Sequence, residues 1–243
     1  MKRILILTEF FPPNNSGVSQ SVKRLVEMLR KNGQGYVSVA SIEPLTENYP
    51  YQQFRREESD SITFWRINVG KTRPLNSPED IRYAEYIVKK IVLQNSIEVI
   101  HAYNIFNVGY IAYRIFKEIN IPYILSIRGN DLTRKLYSYS ELYPQKLIIF
   151  NAEVITCVNG FLHNCLLQNY PEVSEKAIVI YNSIIPESQW QNHLKMKDCL
   201  KRQAGVQDKF VFTYIGEIKE KKQTLMLMDA FMPRLDALGV LEQ

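Results

Sequence analysis

Four stretches of the sequence place polar or charged side chains directly after short apolar runs. They are Asn14-Asn15-Ser16-Gly17, His101 with Asn104, Arg128-Gly129-Asn130-Asp131, and Asn159. Amide, hydroxyl and guanidinium groups can hydrogen-bond a polar or anionic ligand, and an imidazole can exchange a proton near neutral pH. Apolar runs of this length are typical of buried strands, and open α/β sheets bind ligands at the carboxyl ends of their strands. These residues therefore form the candidate site.

Each stretch also has a structural interpretation, and the residues alone leave both open. Asn15 and Ser16 are common helix-capping types, so the first loop could be a connector stiffened by proline. His101 could be a strand-end histidine with a hydrogen-bonding role, and Arg128 could form a buried ion pair with Asp131. The first loop lacks the G-x-G-x-x-G pattern of a dinucleotide-binding turn, and the chain shows no Ser-His-Asp order and no metal-ligand spacing. We therefore predict no metal and no bound cofactor.

The elements that must position these residues follow from the hydrophobic pattern. Apolar runs rich in β-formers alternate with helical periods, which is typical of a parallel sheet flanked by helices. Strands are expected near 3–8, 36–42, 61–69, 97–103, 122–127, 153–158 and 177–181. Helices are expected near 18–32, 78–95, 106–119, 141–151 and 159–170, with 43–60 as a polar insertion. This order predicts a doubly wound, Rossmann-like α/β domain at 1–185.

The sequence after this domain is expected to begin a second one. Residues 186–208 are polar and lack a strand pattern, so they are interpreted as a connector with a short helix. Residues 209–243 then repeat the order of strand, loop with one glycine, and helix. They resemble the opening β-α unit of a second Rossmann-like domain, which is incomplete because such a domain needs about 100 residues or more.

Composition excludes several classes of function. The chain has 243 residues and a net charge of +5, with basic residues spread through helices and not in blocks. No block of basic residues and no aromatic platform is visible, so nucleic acid is not expected as a partner. The sequence shows no membrane-length apolar run and no signal peptide, and its three cysteines suggest neither a disulfide framework nor a zinc site. A cytoplasmic location is the default expectation.

Six segments follow one another in an order that is typical of one enzyme family. The first, ILILTEFFPPNNSGVSQSVKRLVEMLRKNGQGYVSVAS, combines a strand, an F-P-P loop with a glycine, a helix and a second strand. The others are VIHAYN, IPYILSIRGNDL, AEVITCVN, KAIVIYNSI and YIGEIKEKKQTLMLMDAF. Together they resemble the amino-terminal part of retaining GT-B glycosyltransferases of family four. IPYILSIRGNDL, for example, is similar to that family's Pro-x-Val-x-Thr-x-His-Gly-x-Asp segment.

The resemblance implies roles for the candidate residues. The first domain would bind the acceptor and the second the nucleotide-sugar, and transfer would occur in the cleft between them. Gly17 matches one of the paired glycines that let backbone approach the donor phosphates and acceptor hydroxyls. The resemblance makes His101 and Arg128 the candidate catalytic residues and Gly216 and Lys222 the candidate donor-phosphate residues. The candidate cleft residues are Asn15, Ser16, Gly17, Asn104, Gly129, Asn130, Asp131 and Asn159.

The chain also departs from the family pattern. Ser16 and Ser183 stand where the family has glycine, and Arg128 stands where it often has His. Glu217 replaces an arginine that helps to hold the donor diphosphate, which reverses the sign of the Coulomb interaction there. The family's carboxylate pair lies farther into the second domain and is absent from this sequence. We therefore expect this chain alone to be inactive.

The expected function is that of the acceptor-side part of a retaining glycosyltransferase. The complete enzyme would transfer a sugar from a nucleotide diphosphate sugar to a hydroxyl acceptor, such as a saccharide or glycolipid, in polysaccharide or glycolipid synthesis. The alternative is a non-catalytic subunit or split half that pairs with a separate transferase or donor-domain chain. A generic ligand-binding α/β module would be preferred if the six segments were coincidental. Peripheral contact with the inner face of the membrane stays open.

Overall fold

The structure is a computed structural model, and it divides the chain into two compact units. It describes residues 2–33, 35–43, 53–59, 62–69, 77–133, 139–182, 196–207, 209, 211, 213–215, 218 and 223–237. The units are Met1–Ser183 and Ile184–Gln243. Their assignment to an acceptor-side domain, a connector and the start of a donor-binding domain stays a prediction.

The first unit alternates strands and helices. Its strands are β1 (Arg3–Thr8), β2 (Tyr36–Glu43), β3 (Gln53–Ser59), β4 (Ile62–Asn68), β5 (Val99–Ala102), β6 (Tyr123–Ile127), β7 (Val154–Cys157) and β8 (Ala177–Val179). Its helices are α1 (Gly17–Lys31), α2 (Pro78–Gln94), α3 (Val108–Ile119), α4 (Asn130–Thr133), α5 (Tyr139–Asn151) and α6 (Gly160–Asn169). A 3-10 turn at Pro171–Lys176 leads into β8. The strands and helices predicted before residue 185 are all present, with ends that shift by a few residues.

The strands form one eight-stranded sheet in the order β3-β4-β2-β1-β5-β6-β7-β8. Every neighbouring pair is parallel except β3 and β4, which are antiparallel. The prediction of a doubly wound parallel sheet is therefore confirmed. Strand order reverses at β1, and the carboxyl edge beside such a reversal is where α/β sheets bind ligands.

The segment 43–60, predicted as a polar insertion, contains the strand β3, which the sequence did not predict. Its sequence, QFRREES, carries charges on successive residues, so neither the alternation nor the apolar run of a buried strand is present. β3 is an edge strand, and charged side chains at a sheet edge discourage pairing with other chains.

Helices cover the two faces of the sheet through separate apolar clusters. In β1, Ile6 belongs to one cluster and its neighbours Leu5 and Leu7 to the other, because successive side chains of a strand point to opposite faces. Val22 and Val26 of α1 join the cluster of Ile6. The larger cluster takes buried residues from α2, α3, α5 and α6. Since it is built from fully buried aliphatic side chains, this packing fixes the strand ends that carry the candidate site.

The second unit contains two helices among the residues that the structure describes. The short connector helix predicted in 186–208 is present as α7 (Lys197–Gln203), and the later predicted helix is α8 (Thr224–Ala237). A strand was also expected between these helices, but the described residues there, 209, 211 and 213–215, are not in a strand. A strand needs a hydrogen-bonded neighbour, and the described part of this unit holds no other strand. Across the described residues of both units, no helix combines the length and apolar character needed to cross a membrane.

Candidate functional site

Long-range hydrogen bonds join the loops at the carboxyl edge of the sheet. β1, β5, β6 and β7 are successive parallel neighbours, so the loops after them start side by side. Asn107, after β5, donates from Nδ2 to Glu9 Oε1 after β1 at 2.9 Å. The backbone N–H of Ile105 donates to the carboxylate of Asp131, which follows β6. These hydrogen bonds link the loops that follow β1, β5 and β6, which carry three of the four predicted stretches.

The first loop is ordered by its own polar side chains. Ser16 is the N-cap of α1, and its Oγ accepts a hydrogen bond from Ser19 N at 3.2 Å. Asn14 Oδ1 accepts from Ser16 N at 2.9 Å, and Asn15 Oδ1 accepts from Gln20 Nε2 at 3.5 Å. The capping interpretation is therefore correct for Ser16, whereas the side chains of Asn14 and Asn15 make other local hydrogen bonds.

Gly17 is the first residue of α1 and borders open space. A Cβ added there would meet no atom within 4 Å, and the backbone does not adopt the left-handed conformation that favours glycine. The fold therefore does not require glycine at this position. An anion approaching the start of α1 would find free helix N–H groups and the positive end of the helix dipole there.

Arg128 lies at the centre of the carboxyl edge and holds three elements together. Its Nη2 donates to Ser21 Oγ of α1 at 2.6 Å and to Asn182 Oδ1 after β8 at 2.9 Å. Its guanidinium lies 4.8 Å from the ring centre of Tyr103, a cation–π contact. Burial lowers the pKa of Arg128, and the nearby Tyr103 and Asp131 oppose this shift.

The ion pair of Arg128 with Asp131 that the sequence left open is not formed. The carboxylate of Asp131 instead accepts from the backbone N–H groups of Arg128, at 3.1 Å, and Gly129, at 2.7 Å. Burial raises the pKa of Asp131, while these hydrogen bonds oppose the rise. Asp131 therefore shapes the loop, and the guanidinium of Arg128 is directed elsewhere.

His101 heads a row of polar side chains across the sheet. Its Nε2 lies 2.8 Å from Ser126 Oγ, and Ser126 Oγ lies 2.7 Å from Thr156 Oγ1, so the row crosses β5, β6 and β7. Burial lowers the pKa of His101 to about 4, and the charge of Arg128 acts in the same direction. The imidazole is therefore neutral at pH 7. A base with this pKa takes up a proton weakly, so the geometry favours hydrogen bonding over proton transfer for His101.

The other predicted residues have local structural contacts or lie outside the description. Asn104 has a φ of 148°, and its Oδ1 accepts from Phe106 N at 3.2 Å. Asn159 caps α6 by accepting from Leu162 N at 2.8 Å. The backbone of Asn130 begins α4, and its side chain lies outside the described part of the structure. Gly216 and Lys222 lie outside the described residues.

Several residues of the site were missed by sequence reasoning. They are Glu9, Ser21, Tyr103, Asn107 and Asn182. Glu9 directly follows β1, and burial raises the pKa of its carboxyl, with Asp131 adding to the rise and Asn107 opposing it. Its position after a strand was a usable signal. In the part of the chain that the structure describes, no group of His, Cys, Asp and Glu could hold a metal ion.

Comparison with known proteins identifies the family. A sequence profile described as Glycosyltransferase Family 4 matches residues 15–188. The chain belongs to this family. An uncharacterised glycosyltransferase of Methanocaldococcus jannaschii is 31% identical over 183 residues, which cover 75% of this chain and 47% of that protein. Membership of family four, predicted from the six segments, is thus confirmed, whereas the retaining mechanism and the amino-terminal role stay predictions.

Two solved structures share the fold of this family 4 chain. The Anabaena protein HepE in complex with UDP has a TM-score of 0.65 at 16% identity, covering 95% of this chain and 57% of that one. Sucrose-phosphate synthase from Thermosynechococcus elongatus has a TM-score of 0.55 at 16% identity, covering 80% of this chain and 53% of that one. The chain therefore spans about half the length of these relatives.

Proposed function

We propose that this chain is the acceptor-side part of a retaining glycosyltransferase. The complete protein would transfer a sugar from a nucleotide diphosphate sugar to a hydroxyl of a saccharide or glycolipid. Family membership supports sugar transfer, and the solved relative HepE is described in complexes with UDP and UDP-glucose. We further propose that the protein acts in polysaccharide or glycolipid synthesis, in the cytoplasm or at the inner face of the membrane.

The observation that carries the proposal is the position of Arg128. Only Nη2 of its guanidinium has partners among the described side chains and backbone groups, so Nε and Nη1 can donate to an anion. Ser21 and Asn182 hold the group by neutral oxygens, which leaves its charge uncompensated by a direct carboxylate contact in the described part of the chain. A half-buried, unpaired guanidinium is suited to stabilise the negative charge that develops on a departing diphosphate.

His101 and Gly17 complete the proposed site. The neutral imidazole of His101 would hydrogen-bond a sugar hydroxyl, because its low pKa makes it a poor general base. The open space at Gly17 would admit a phosphate or a sugar ring against the start of α1. We propose that Gly216 and Lys222 contribute to the donor phosphates from the second unit.

The alternative function is a non-catalytic subunit or split half that pairs with a separate donor-domain chain. The specific observation in its favour is Glu217, a carboxylate where the resemblance implies a phosphate-binding arginine. Both functions make the same first prediction. This chain alone should transfer no radiolabelled sugar from a panel of nucleotide sugars to saccharide or glycolipid acceptors, and clear turnover by the purified chain would contradict both.

A fusion tests the proposed role of Arg128. We would join this chain to the second half of the Methanocaldococcus relative and measure UDP-glucose binding and transfer. Arg128→Ala should weaken UDP-glucose binding about 10- to 100-fold, because a charge-assisted hydrogen bond is worth about 1.5–3 kcal/mol. Arg30→Ala, an exposed arginine at the end of α1, is the matched control. Equal binding by both variants would refute a role for Arg128 in holding the diphosphate.

A further inference from the structure

A second concave site lies on the helical face of the first unit. It has a volume of about 530 Å³ and is bounded by α2, α3, α5 and the loop before α3. This volume is within the range of pockets that hold small molecules. Its lining residues are Pro78, Ile81, Arg82, Glu85, Phe106, Asn107, Tyr110, Arg114, Pro144 and Ile148. Because α2 and α3 follow strands, the ends of these helices that line the site lie at the carboxyl edge of the sheet.

The chemistry of the wall favours an uncharged, apolar occupant. Most of the lining side chains are aliphatic, aromatic or proline. Its two cations are already paired: Arg82 contacts Glu79 at 2.8 Å, and Arg114 contacts Glu85 at 3.2 Å. The described wall therefore offers apolar surface without an unpaired charge, and burial of apolar groups is the interaction that it can provide.

One wall residue connects this pocket to the sheet edge. Asn107 lines the pocket and donates to Glu9 Oε1 at 2.9 Å, so the Glu9 carboxyl lies one hydrogen bond from the pocket wall. A carboxylate accepts hydrogen bonds from hydroxyl groups, and Glu9 has a second oxygen for this purpose. The arrangement thus places an acceptor of hydroxyl protons beside an apolar pocket.

From this juxtaposition we infer that the first unit binds a hydroxyl-bearing amphiphile, with its uncharged apolar chain in the α2–α3–α5 pocket and its hydroxyl head group at Glu9. The inference rests on the proposed function, because it specifies the acceptor as a glycolipid-like molecule and not a free saccharide. Tyr110 forms part of the wall for the apolar chain, and Glu9 selects the hydroxyl head.

The test uses octyl β-glucoside, below its micelle concentration, as the probe for the full 243-residue chain at pH 8. Isothermal titration should detect binding, and hexyl β-glucoside should bind about 15-fold more weakly, because it lacks two methylenes and each buried methylene contributes about a fourfold change in affinity. Methyl β-glucoside should show no measurable binding. Binding that appears only with micelles or vesicles would overturn the inference in favour of a membrane-surface contact.

Variants locate the two ends of the ligand. Tyr110→Ser should weaken octyl β-glucoside binding at least fivefold, whereas Tyr86→Ser, an exposed tyrosine of α2 outside the pocket, should not change it. Glu9→Gln should weaken octyl β-glucoside binding about three- to tenfold. It should not change the binding of a methyl-capped octyl tetraethylene glycol ether, which has the same chain and no hydroxyl group. Thermal melting of each variant confirms that it is folded.

The outcomes separate this inference from the proposed function. If the fusion transfers sugar to a free saccharide while octyl β-glucoside fails to bind, the proposed function stands and the pocket assignment is wrong. If octyl β-glucoside binds with the stated dependence on Tyr110 but the fusion transfers nothing, the pocket assignment stands without the proposed function. Equal binding by Tyr110→Ser and Tyr86→Ser would refute the assigned location.

Discussion

Replacing His101 with glutamine should remove a pH-dependent loss of stability. In the folded chain the pKa of His101 is lowered from 6.5 to about 4 by burial. The unfolded chain therefore binds a proton more readily than the folded chain between these two values. Stability from this residue is fully present above pH 6.5, decreases as the pH falls, and is lost entirely below about pH 4.

The magnitude follows from the two pKa values. At pH 5 the unfolded imidazole is almost fully protonated and the folded one is mostly neutral, which costs about 2 kcal/mol of unfolding free energy. Glu9 and Asp131 have raised pKa values in the folded chain, so their contributions have the opposite sign and are lost as the pH rises. They are common to both proteins and cancel when the His101→Gln variant is compared with the natural chain.

Urea unfolding at pH 7.5 and pH 5.0 measures the effect. Between these conditions the natural chain should lose about 2 kcal/mol more stability than His101→Gln. NMR titration of the His101 ring in the natural chain, which needs no variant, should give a midpoint near 4. A midpoint near 6.5, or equal losses for the two proteins, would refute the burial that we assign to this ring.

Two substitutions test the glycines beside the site. Gly17→Val should change the free energy of unfolding by no more than about 1 kcal/mol, because its Cβ meets open space. The same change should block nucleotide-sugar binding by the fused protein. A lower melting temperature with normal binding would mean that Gly17 serves the fold alone. Gly109→Ala should lower the free energy of unfolding by about 1–3 kcal/mol, because its Cβ would lie 2.6 Å from Asn104 O and 3.3 Å from Ile148 Cγ2. An unchanged denaturation midpoint would show that the loop before α3 shifts to make room for the methyl group.

The sequence predicted those elements whose side chains follow one simple pattern. β1, β5 and β6 are short apolar runs buried on both faces, and α1 begins directly after Ser16, a strong capping type, so each could be located. β3 could not, because an edge strand with Arg55, Arg56 and Glu57 in succession lacks both strand signatures. Its pairing with β4 depends on the neighbour and not on its own composition.

The sequence predicted which residues of the candidate site lie near strand ends, but not which side chains they contact. Position near the carboxyl end of a strand singled out His101, which lies in β5, and Arg128, which directly follows β6. Their partners could not be predicted, because Ser21 is 107 residues from Arg128 in sequence and contacts it only through the fold. The same limit applies to charge: the resemblance named His101 as a catalytic candidate, but only its burial shows that the ring is neutral.

The hydrogen bonds in the row of His101, Ser126 and Thr156 can run in either direction. A neutral imidazole carries its proton on either nitrogen, and both hydroxyls can rotate, so every hydrogen bond in the row can reverse without movement of a heavy atom. In one arrangement Nδ1 presents a lone pair, and in the other it presents an N–H. Rotation of the two hydroxyls therefore decides whether Nδ1 accepts or donates a hydrogen bond. The same ring can accept from the O–H of a ligand hydroxyl or donate to its oxygen.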